Sequence, residues 1–430
     1  MKKNNLLKNN IIYLTSVAIG GILGYLFHSM LARELTVGGY GEFQAMNSFM
    51  MISGVFFSAF SYFIIRYSAV FASNNDRLGQ SKFLEFIIGK FKWPAWGFFI
   101  VFLAVLPLAK NLLHLENYWG LIFISFAMFF SFYASFYSNS LQGWSDFLAV
   151  GTIGVLAVLI KLISGFILAR IFMSSSASAL SFLFSALASW IIAKAYFRKK
   201  WRITREKEKD FTWREKYFSG QSFKKALFHI FIFSLGLAVV SNLDILIVKN
   251  MASSELAGYY GALSVLGKVI LWFNFAVASV LFPDACSDGH LNRPANKKSV
   301  FGSYGIITAI SLPALLIFYL FANFLVVFMF GKEYLAVASN LWLFGLMAFF
   351  LSLLTLESKL ALARQDFRIT FILFATAVVL FTGIRLADLN LKSIAISVLI
   401  SFFLGWIAVL MLNVFHRLKY KRQEIVENIL

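Results

Sequence analysis

Apolar stretches of about 20 residues recur along the whole chain and alternate with shorter polar segments. A helix needs roughly 20 apolar residues to cross a hydrocarbon core about 30 Å thick. The stretches lack the strict alternation of barrel strands, so the pattern predicts an all-α polytopic membrane protein with about 12 transmembrane helices. The predicted spans are 10–31, 44–65, 93–113, 118–141, 147–170, 177–197, 226–248, 257–283, 301–323, 338–363, 369–384 and 393–415.

The charge of the chain follows this topology. The formal net charge is +19, which by itself would suggest a nucleic-acid partner. With the N-terminus in the cytoplasm, however, cytoplasmic tails and loops hold 28 of the 39 Lys and Arg residues and the opposite loops hold seven. This is the positive-inside bias of membrane proteins. The charge therefore predicts a membrane protein with both termini in the cytoplasm, and no nucleic acid.

A basic segment, 198–225, separates the predicted spans into two groups of six. It predicts a cytoplasmic linker lying on anionic headgroups or, alternatively, a docking site for a partner. Because each half, 1–197 and 226–430, has six spans, both have one orientation. We therefore predict two six-helix bundles related by a parallel pseudo-two-fold repeat, as in secondary transporters. Faint self-similarity at an offset of 219 or 220 supports the repeat: Gly39-Tyr40 with Gly258-Tyr259, Pro94-Ala95 with Pro313-Ala314, and Asp146-Phe147 with Asp366-Phe367.

The loop 66–92 has a helical pattern of its own. Phe83, Ile87 and Phe91 recur at four-residue spacing, and the lysines occupy other positions. This pattern predicts an interfacial amphipathic helix that positions the third span.

Three groups of residues carry a resemblance to a known family. The first group is Leu31-Ala32-Arg33-Glu34-Leu35 followed by Gly39-Tyr40-Gly41-Glu42-Phe43. The second is Asn242-Leu243-Asp244, Ala257-Gly258-Tyr259-Tyr260 and Leu281-Phe282-Pro283. The third is Phe330-Gly331-Lys332-Glu333-Tyr334 with Ala336 and Ala338. In this order and spacing they resemble the polysaccharide-exporter branch of the multidrug/oligosaccharidyl-lipid/polysaccharide (MOP) superfamily, the Wzx-type oligosaccharide flippases, over nearly the whole chain.

The resemblance implies two helical bundles around a central cavity. It also implies movement of an undecaprenyl-pyrophosphate-linked oligosaccharide from the inner to the outer leaflet, for cell-surface polysaccharides such as the O-antigen of lipopolysaccharide. The protein would then be a transporter of the bacterial or archaeal cytoplasmic membrane and not an enzyme. Its partners would be the lipid-linked oligosaccharide, membrane lipids and other polysaccharide-assembly membrane proteins.

Basic side chains inside spans are candidates for holding the pyrophosphate. An ionisable group in a span costs about 2.5–3.5 kcal/mol on insertion scales, so each one needs a reason to be there. Lys161 and Lys268 lie in the middle of their spans. Either ammonium can bind the phosphates or, alternatively, pair with a helix carbonyl or a structural carboxylate. Arg33 and Arg66, at opposite ends of the first hairpin, are candidate gate contacts or ordinary interface anchors.

Two acids are candidates for coupling transport to an ion gradient. Asp244 lies toward the outer part of the seventh span, and Glu357 lies toward the inner end of the tenth. Either carboxylate is a candidate site for a proton or a sodium ion, and the alternative for each is a structural hydrogen bond or ion pair. No other cofactor is expected.

Two other functions are compatible with part of the pattern. A cation-coupled multidrug exporter of the same superfamily has the same fold, but its pocket should present acids where Lys161 and Lys268 lie. A membrane glycan polymerase or ligase usually places catalytic Arg or His on a large outer loop, whereas the predicted outer loops, such as 324–337, are short. The sequence has no G-x-x-x-x-G-K-[ST] or H-E-x-x-H motif and one cysteine, so neither an ATPase nor a catalytic metal is predicted.

Overall fold

The computed structural model describes residues 3–201, 221–290, 297–363 and 366–427. In these ranges all regular structure is helical, and the predicted all-α polytopic fold is confirmed. A 3-10 helix spans Lys332–Asn340. The α-helices are α1 Lys3–Glu34, α2 Val37–Ser73, α3 Arg77–Leu112, α4 Trp119–Gly143, α5 Phe147–Phe172, α6 Ser175–Lys200, α7 Gln221–Met251, α8 Ser254–His290, α9 Lys297–Leu320, α10 Ala322–Phe330, α11 Leu341–Ala363, α12 Arg368–Leu386 and α13 Leu391–Glu427.

Most of the helices match the predicted spans. Within the described residues, eleven helical segments are long and apolar enough to cross a membrane. The remaining predicted span, 44–65, lies within α2. At 37 residues, α2 exceeds the roughly 20 residues that a span requires, so it extends well beyond the hydrocarbon thickness. The basic segment predicted as a linker lies mostly outside the described residues, and α6 continues into it as far as Lys200.

The structure modifies two sequence predictions about the connecting segments. The predicted outer loop 324–337 is helical, because α10 and the 3-10 helix fill it and turn at Gly331, whose φ is 101°. The predicted interfacial helix is the first part of the continuous helix α3. Its apolar residues Phe83 and Ile87 are buried in the protein, so they are not available to the membrane surface.

Two tight turns between helices have the same construction. Asn75 and Ser145 adopt left-handed conformations, with φ of 50° and 55°. In each turn the next residue is an aspartate whose side chain caps the following helix. Asp76 accepts a hydrogen bond from the amide of Gly79 at 2.7 Å, and Asp146 accepts one from Ala149 at 3.3 Å. A capping side chain satisfies one of the free amides at a helix start.

The chain forms two compact units. The first contains residues 1–39 and 53–231, and the second contains residues 40–52 and 232–430. The start of α2 therefore belongs to the second unit, and the rest of that helix belongs to the first. The predicted halves, 1–197 and 226–430, and their pseudo-two-fold relation stay predictions.

Aromatic side chains form much of the core of the first unit. Phe83 on α3 packs against Phe63, Tyr67 and Phe71 of α2, with ring centroids 5.5–5.9 Å apart. On α6, Phe197 stacks on Trp201 at 4.5 Å. Such pairs add to the stability that area burial alone provides. These rings belong to one buried apolar cluster to which α2, α3, α4, α5 and α6 all contribute residues.

Candidate transport site

Lys161 lies between aromatic rings in the first unit. Its ammonium is 4.6 Å from the ring centroid of Phe27 on α1 and 5.4 Å from that of Phe182 on α6. The two rings meet edge to face, with centroids 6.1 Å apart. No described carboxylate lies within 4.0 Å of this ammonium. Aromatic faces stabilise a cation without neutralising its charge, so Lys161 remains able to bind an anion.

Gly165, one helical turn after Lys161, makes room for the Phe27 ring. A Cβ atom at residue 165 would overlap that ring, lying 3.2 Å from Cδ2 and closer still to Cε2. It would also lie 3.3 Å from the hydroxyl of Ser181 on α6. Phe27 is fully buried, so its ring has little space to move away. The glycine therefore allows the ring to lie under the ammonium.

Lys268 has a different environment in the second unit. Its ammonium donates a hydrogen bond of 2.9 Å to the carbonyl oxygen of Ser241 on α7. This is the helix-carbonyl contact that the sequence analysis gave as the alternative to phosphate binding. One ammonium has three donors, so this bond leaves donors for other acceptors. Whether Lys161 and Lys268 face a common cavity stays a prediction.

The two arginines predicted as gate contacts are both exposed. Arg33 is in the last turn of α1, and Arg66 is in α2. Both belong to the first unit. Their gate role stays a prediction.

Asp244 is deeply buried between α7 and α8, with 1% of its surface exposed. The hydroxyl of Tyr260 donates a 2.7 Å hydrogen bond to its Oδ2 atom. Its Oδ1 atom has no hydrogen-bond partner among the described residues. Asp244 is about one helical turn after Ser241, whose carbonyl oxygen accepts the hydrogen bond from Lys268. The two predicted site residues Asp244 and Lys268 therefore lie near each other on the helix pair α7 and α8.

Glu357 is the centre of a polar network that joins three helices of the second unit. Its side chain on α11 is 2% exposed. Tyr304 on α9 donates a 2.6 Å hydrogen bond to Oε1, and Asn413 on α13 donates one to Oε2. The indole of Trp406, also on α13, donates to the hydroxyl of Tyr304 at 3.3 Å. The acid was predicted from the sequence, but its partners were not, because they are 53 and 56 residues away along the chain.

Some residues from each of the three motifs that carry the family resemblance lie together in the second unit. The ring of Tyr40 packs 6.0 Å from Phe330 and 6.4 Å from Tyr334. Tyr334 in turn contacts Tyr259 at 5.8 Å. Gly41 lies so close to α8 that a Cβ atom there would be 2.6 Å from the backbone nitrogen of Gly258. Three motifs that are separated along the chain therefore form one packed cluster.

A buried ion pair adjoins this cluster. Lys249 is 1% exposed, and its ammonium lies 3.9 Å from the carboxylate of Glu42 at the start of α2. The same ammonium donates a 2.6 Å hydrogen bond to the hydroxyl of Ser254. Lys249 lies one residue beyond the predicted span 226–248, and neither it nor Glu42 was a candidate site residue. The short spacing between Lys249 and Ser254, across the α7–α8 turn, was the available signal.

Residues 6–285 match the family model described as polysaccharide biosynthesis protein. The chain belongs to this family. The match covers well over half of the chain, and it confirms the resemblance inferred from the motifs. A search of curated protein sequences gives no significant match.

Solved structures show the same fold. A lipid II flippase, MurJ, in an inward closed conformation superposes with a TM-score of 0.69 at 15% identity, covering 97% of this chain and 91% of MurJ. An inward-facing multidrug resistance MATE family transporter of the MOP superfamily gives 0.65 at 12% identity, covering 95% and 99%. A MOP superfamily transporter from Pyrococcus furiosus, described as having a binding pocket of reverse polarity, gives 0.63 at 13% identity, covering 96% and 94%. The family member described here is therefore a multi-span membrane protein with the MOP fold.

Proposed function

We propose that this protein is a flippase that moves undecaprenyl-pyrophosphate-linked oligosaccharide from the inner to the outer leaflet by alternating access of a cationic cavity. The family match supports a role in polysaccharide biosynthesis. The fold is shared with a lipid II flippase, which supports transport of a lipid-linked substrate. The protein would lie in the cytoplasmic membrane with both termini in the cytoplasm, and it would act as a transporter rather than an enzyme.

The observation that carries the proposal is the environment of Lys161. The half-buried amine of Lys161 lies in the middle of α5 against two aromatic rings, and no described carboxylate lies within 4.0 Å of it. Burial of an ammonium is costly unless a ligand or a partner offsets the cost. A pyrophosphate group supplies several charged oxygen acceptors, and charge-assisted hydrogen bonds to such oxygens are the stronger ones. Lys161 is therefore suited to hold the diphosphate while the lipid-linked glycan crosses.

The second candidate function is a cation-coupled multidrug exporter. The MATE transporters share the fold, and Asp244 offers a buried carboxylate oxygen that has no described partner. A site for an organic cation needs such an acid. However, the ammonium of Lys268 lies on the same helix pair, one turn from Asp244, and would repel a cationic drug.

The proposal is tested by transbilayer movement of a fluorescent undecaprenyl-pyrophosphate oligosaccharide in proteoliposomes. Lys161→Ala should slow this movement about tenfold or more, because a hydrogen bond to a charged group contributes about 1.5–3 kcal/mol. Lys161→Arg should retain most of the rate. The matched control is Lys194→Ala on α6, which also removes an ammonium from an aromatic face, that of Trp190 at 4.8 Å.

The control should move the lipid at the wild-type rate. Equal rates for Lys161→Ala and the wild type would remove Lys161 from the pathway. A complete lack of protein-dependent movement with several lipid-linked glycans would contradict the flippase itself.

A further inference from the structure

The short helix α10 has one buried face and one exposed aromatic face. The buried face consists of side chains at four-residue spacing, which are Ala322, Val326 and Phe330. On the opposite side, Phe321 at the N-cap and Phe324 and Phe328 in the helix are 55%, 65% and 62% exposed. The rings of Phe324 and Phe328 stack on each other, with centroids 5.8 Å apart. We call Phe321, Phe324 and Phe328 the aromatic face of α10.

The segment that contains this face is apolar over a long stretch of sequence. No charged residue occurs between Lys298 and Lys332, and Asn323 is the one polar residue of α10. Charge returns directly after the turn at Gly331, where Lys332 and Glu333 are both exposed. The polarity of the chain therefore changes sharply at the end of α10, as it does where a chain passes from hydrocarbon to headgroups.

The length of α10 places it at a membrane surface. It has 9 residues, so it is about 14 Å long and cannot cross a hydrocarbon core of about 30 Å. It lies in the chain between two candidate membrane spans, Val300–Leu320 and Lys332–Leu362. The first of these ends immediately before Phe321, so α10 lies near the surface at which α9 ends. In the predicted topology this is the outer surface.

The aromatic face continues the exposed apolar surface of α9. Leu312, Leu316 and Leu320 recur at four-residue spacing, and all three are more than half exposed. In a membrane span such a stripe faces lipid. Phe321 follows Leu320 directly, so the aromatic face begins where this lipid-facing stripe ends.

A second copy of the chain is a poorer occupant than lipid. A phenylalanine buries at most about 150–250 Å². Three rings at the observed exposure therefore offer roughly 300–450 Å². A stable interface between proteins needs about 800 Å² from each partner. Lipid has no such minimum, because its chains adapt to the surface that they cover.

We propose that α10 is an interfacial helix whose aromatic face inserts into the outer leaflet of the membrane. The rings of Phe321, Phe324 and Phe328 lie at the edge of the hydrocarbon, and Lys332 and Glu333 lie among the headgroups. Interfacial helices with aromatic side chains on the apolar face bury that face about 5–10 Å into this boundary. The partner of this surface is therefore the lipid bilayer itself.

The buried face of α10 gives this contact a consequence for the protein. Phe330 packs 6.0 Å from Tyr40 at the start of α2 and 5.6 Å from Tyr334 on the 3-10 helix. The helix therefore lies between the lipid and the cluster that the family motifs form. Contact with lipid on one face supports the packing of this cluster on the other.

The test measures the depth of the aromatic face in the bilayer. The single cysteine is first removed by Cys286→Ser. Phe324→Cys and Phe328→Cys are then made in separate full-length chains, spin-labelled and placed in vesicles of phosphatidylethanolamine and phosphatidylglycerol. Collisions with oxygen, which concentrates in hydrocarbon, are compared with collisions with a water-soluble nickel complex. Leu316→Cys on α9 is the control for hydrocarbon, and Glu116→Cys, exposed between α3 and α4, is the control for water.

Both labels on α10 should collide mainly with oxygen, at a depth of about 5–10 Å below the lipid phosphates. The label at residue 316 should lie deeper, because it is more than one turn of α9 further from the surface, and the label at residue 116 should collide mainly with nickel. Nickel collisions at residues 324 and 328 that equal those at residue 116 would overturn the proposal. Protection from both agents, with spin–spin broadening, would also overturn it, because a second copy of the chain would then cover the face. The measurement uses no transport substrate, so its outcome is independent of the proposed function.

Discussion

Replacing Gly165 by alanine should disturb both the stability of the first unit and the position of the predicted phosphate-binding lysine. The added methyl group would overlap the Phe27 ring, which is fully buried and supports the ammonium of Lys161 at 4.6 Å. The ring can relieve the overlap only by moving away from α5. That movement would weaken its contact with the ammonium.

The size of the effect follows from three contributions. Overpacking of a close-packed site costs about 1–3 kcal/mol. Alanine gains about 0.5–1 kcal/mol over glycine in a helix, which offsets part of this cost. Weakening the cation–aromatic contact adds about 0.5–1 kcal/mol. We therefore expect Gly165→Ala to destabilise the protein by about 1–3 kcal/mol.

Thermal unfolding in detergent, with flipping rates measured in parallel, is the assay. The matched control is Gly154→Ala on the same helix, where no atom lies within 4 Å of an added Cβ. The control should be neutral or slightly stabilising and should retain the wild-type flipping rate. Gly165→Ala should unfold several degrees lower and should flip more slowly. Equal melting temperatures for the two variants would refute the packing argument.

Three further predictions concern the second unit and the start of α2. Gly41→Ala should lower the melting temperature, because a Cβ atom there lies 2.6 Å from backbone, whereas Gly54→Ala on the same helix, with nothing within 4 Å, should not. Lys249→Met should lower the free energy of unfolding by about 3–5 kcal/mol, because it removes the ammonium that faces the buried Glu42 carboxylate. The double variant with Glu42→Gln should recover part of this loss in chemical unfolding. A double variant less stable than Lys249→Met would contradict the ion pair. Thr36→Ala should lower the free energy of unfolding by about 1 kcal/mol in the same assay, because it removes the hydroxyl that accepts a 3.1 Å hydrogen bond from the Gly39 amide at the start of α2. An unchanged free energy of unfolding would show that this cap does not stabilise the protein.

The helical fold could be predicted from the sequence because the bilayer imposes one length and one polarity on every span. The same reasoning failed where a segment is shielded by protein instead of lipid. Phe83 and Ile87 have the pattern of an interfacial helix, but their apolar face is covered by α2. Lys249 looks like a loop cation, but it is buried because Glu42 and Ser254 satisfy its charge and its donors.

The candidate site could be predicted only in part. An isolated charge in an apolar run is visible in the sequence, so Lys161, Lys268, Asp244 and Glu357 could be singled out. Their surroundings depend on residues many helices away, such as Phe27 beside Lys161 and Asn413 beside Glu357. Hydropathy and residue spacing along the sequence do not predict contacts between side chains on different helices.

The most direct test of the proposed function compares two substrates in the same proteoliposomes. One is the fluorescent undecaprenyl-pyrophosphate oligosaccharide, and the other is a cationic dye offered with an imposed proton gradient. The proposed function predicts protein-dependent movement of the lipid-linked glycan and no export of the dye. Export of the dye without movement of the glycan would contradict it and would identify the protein as a drug exporter.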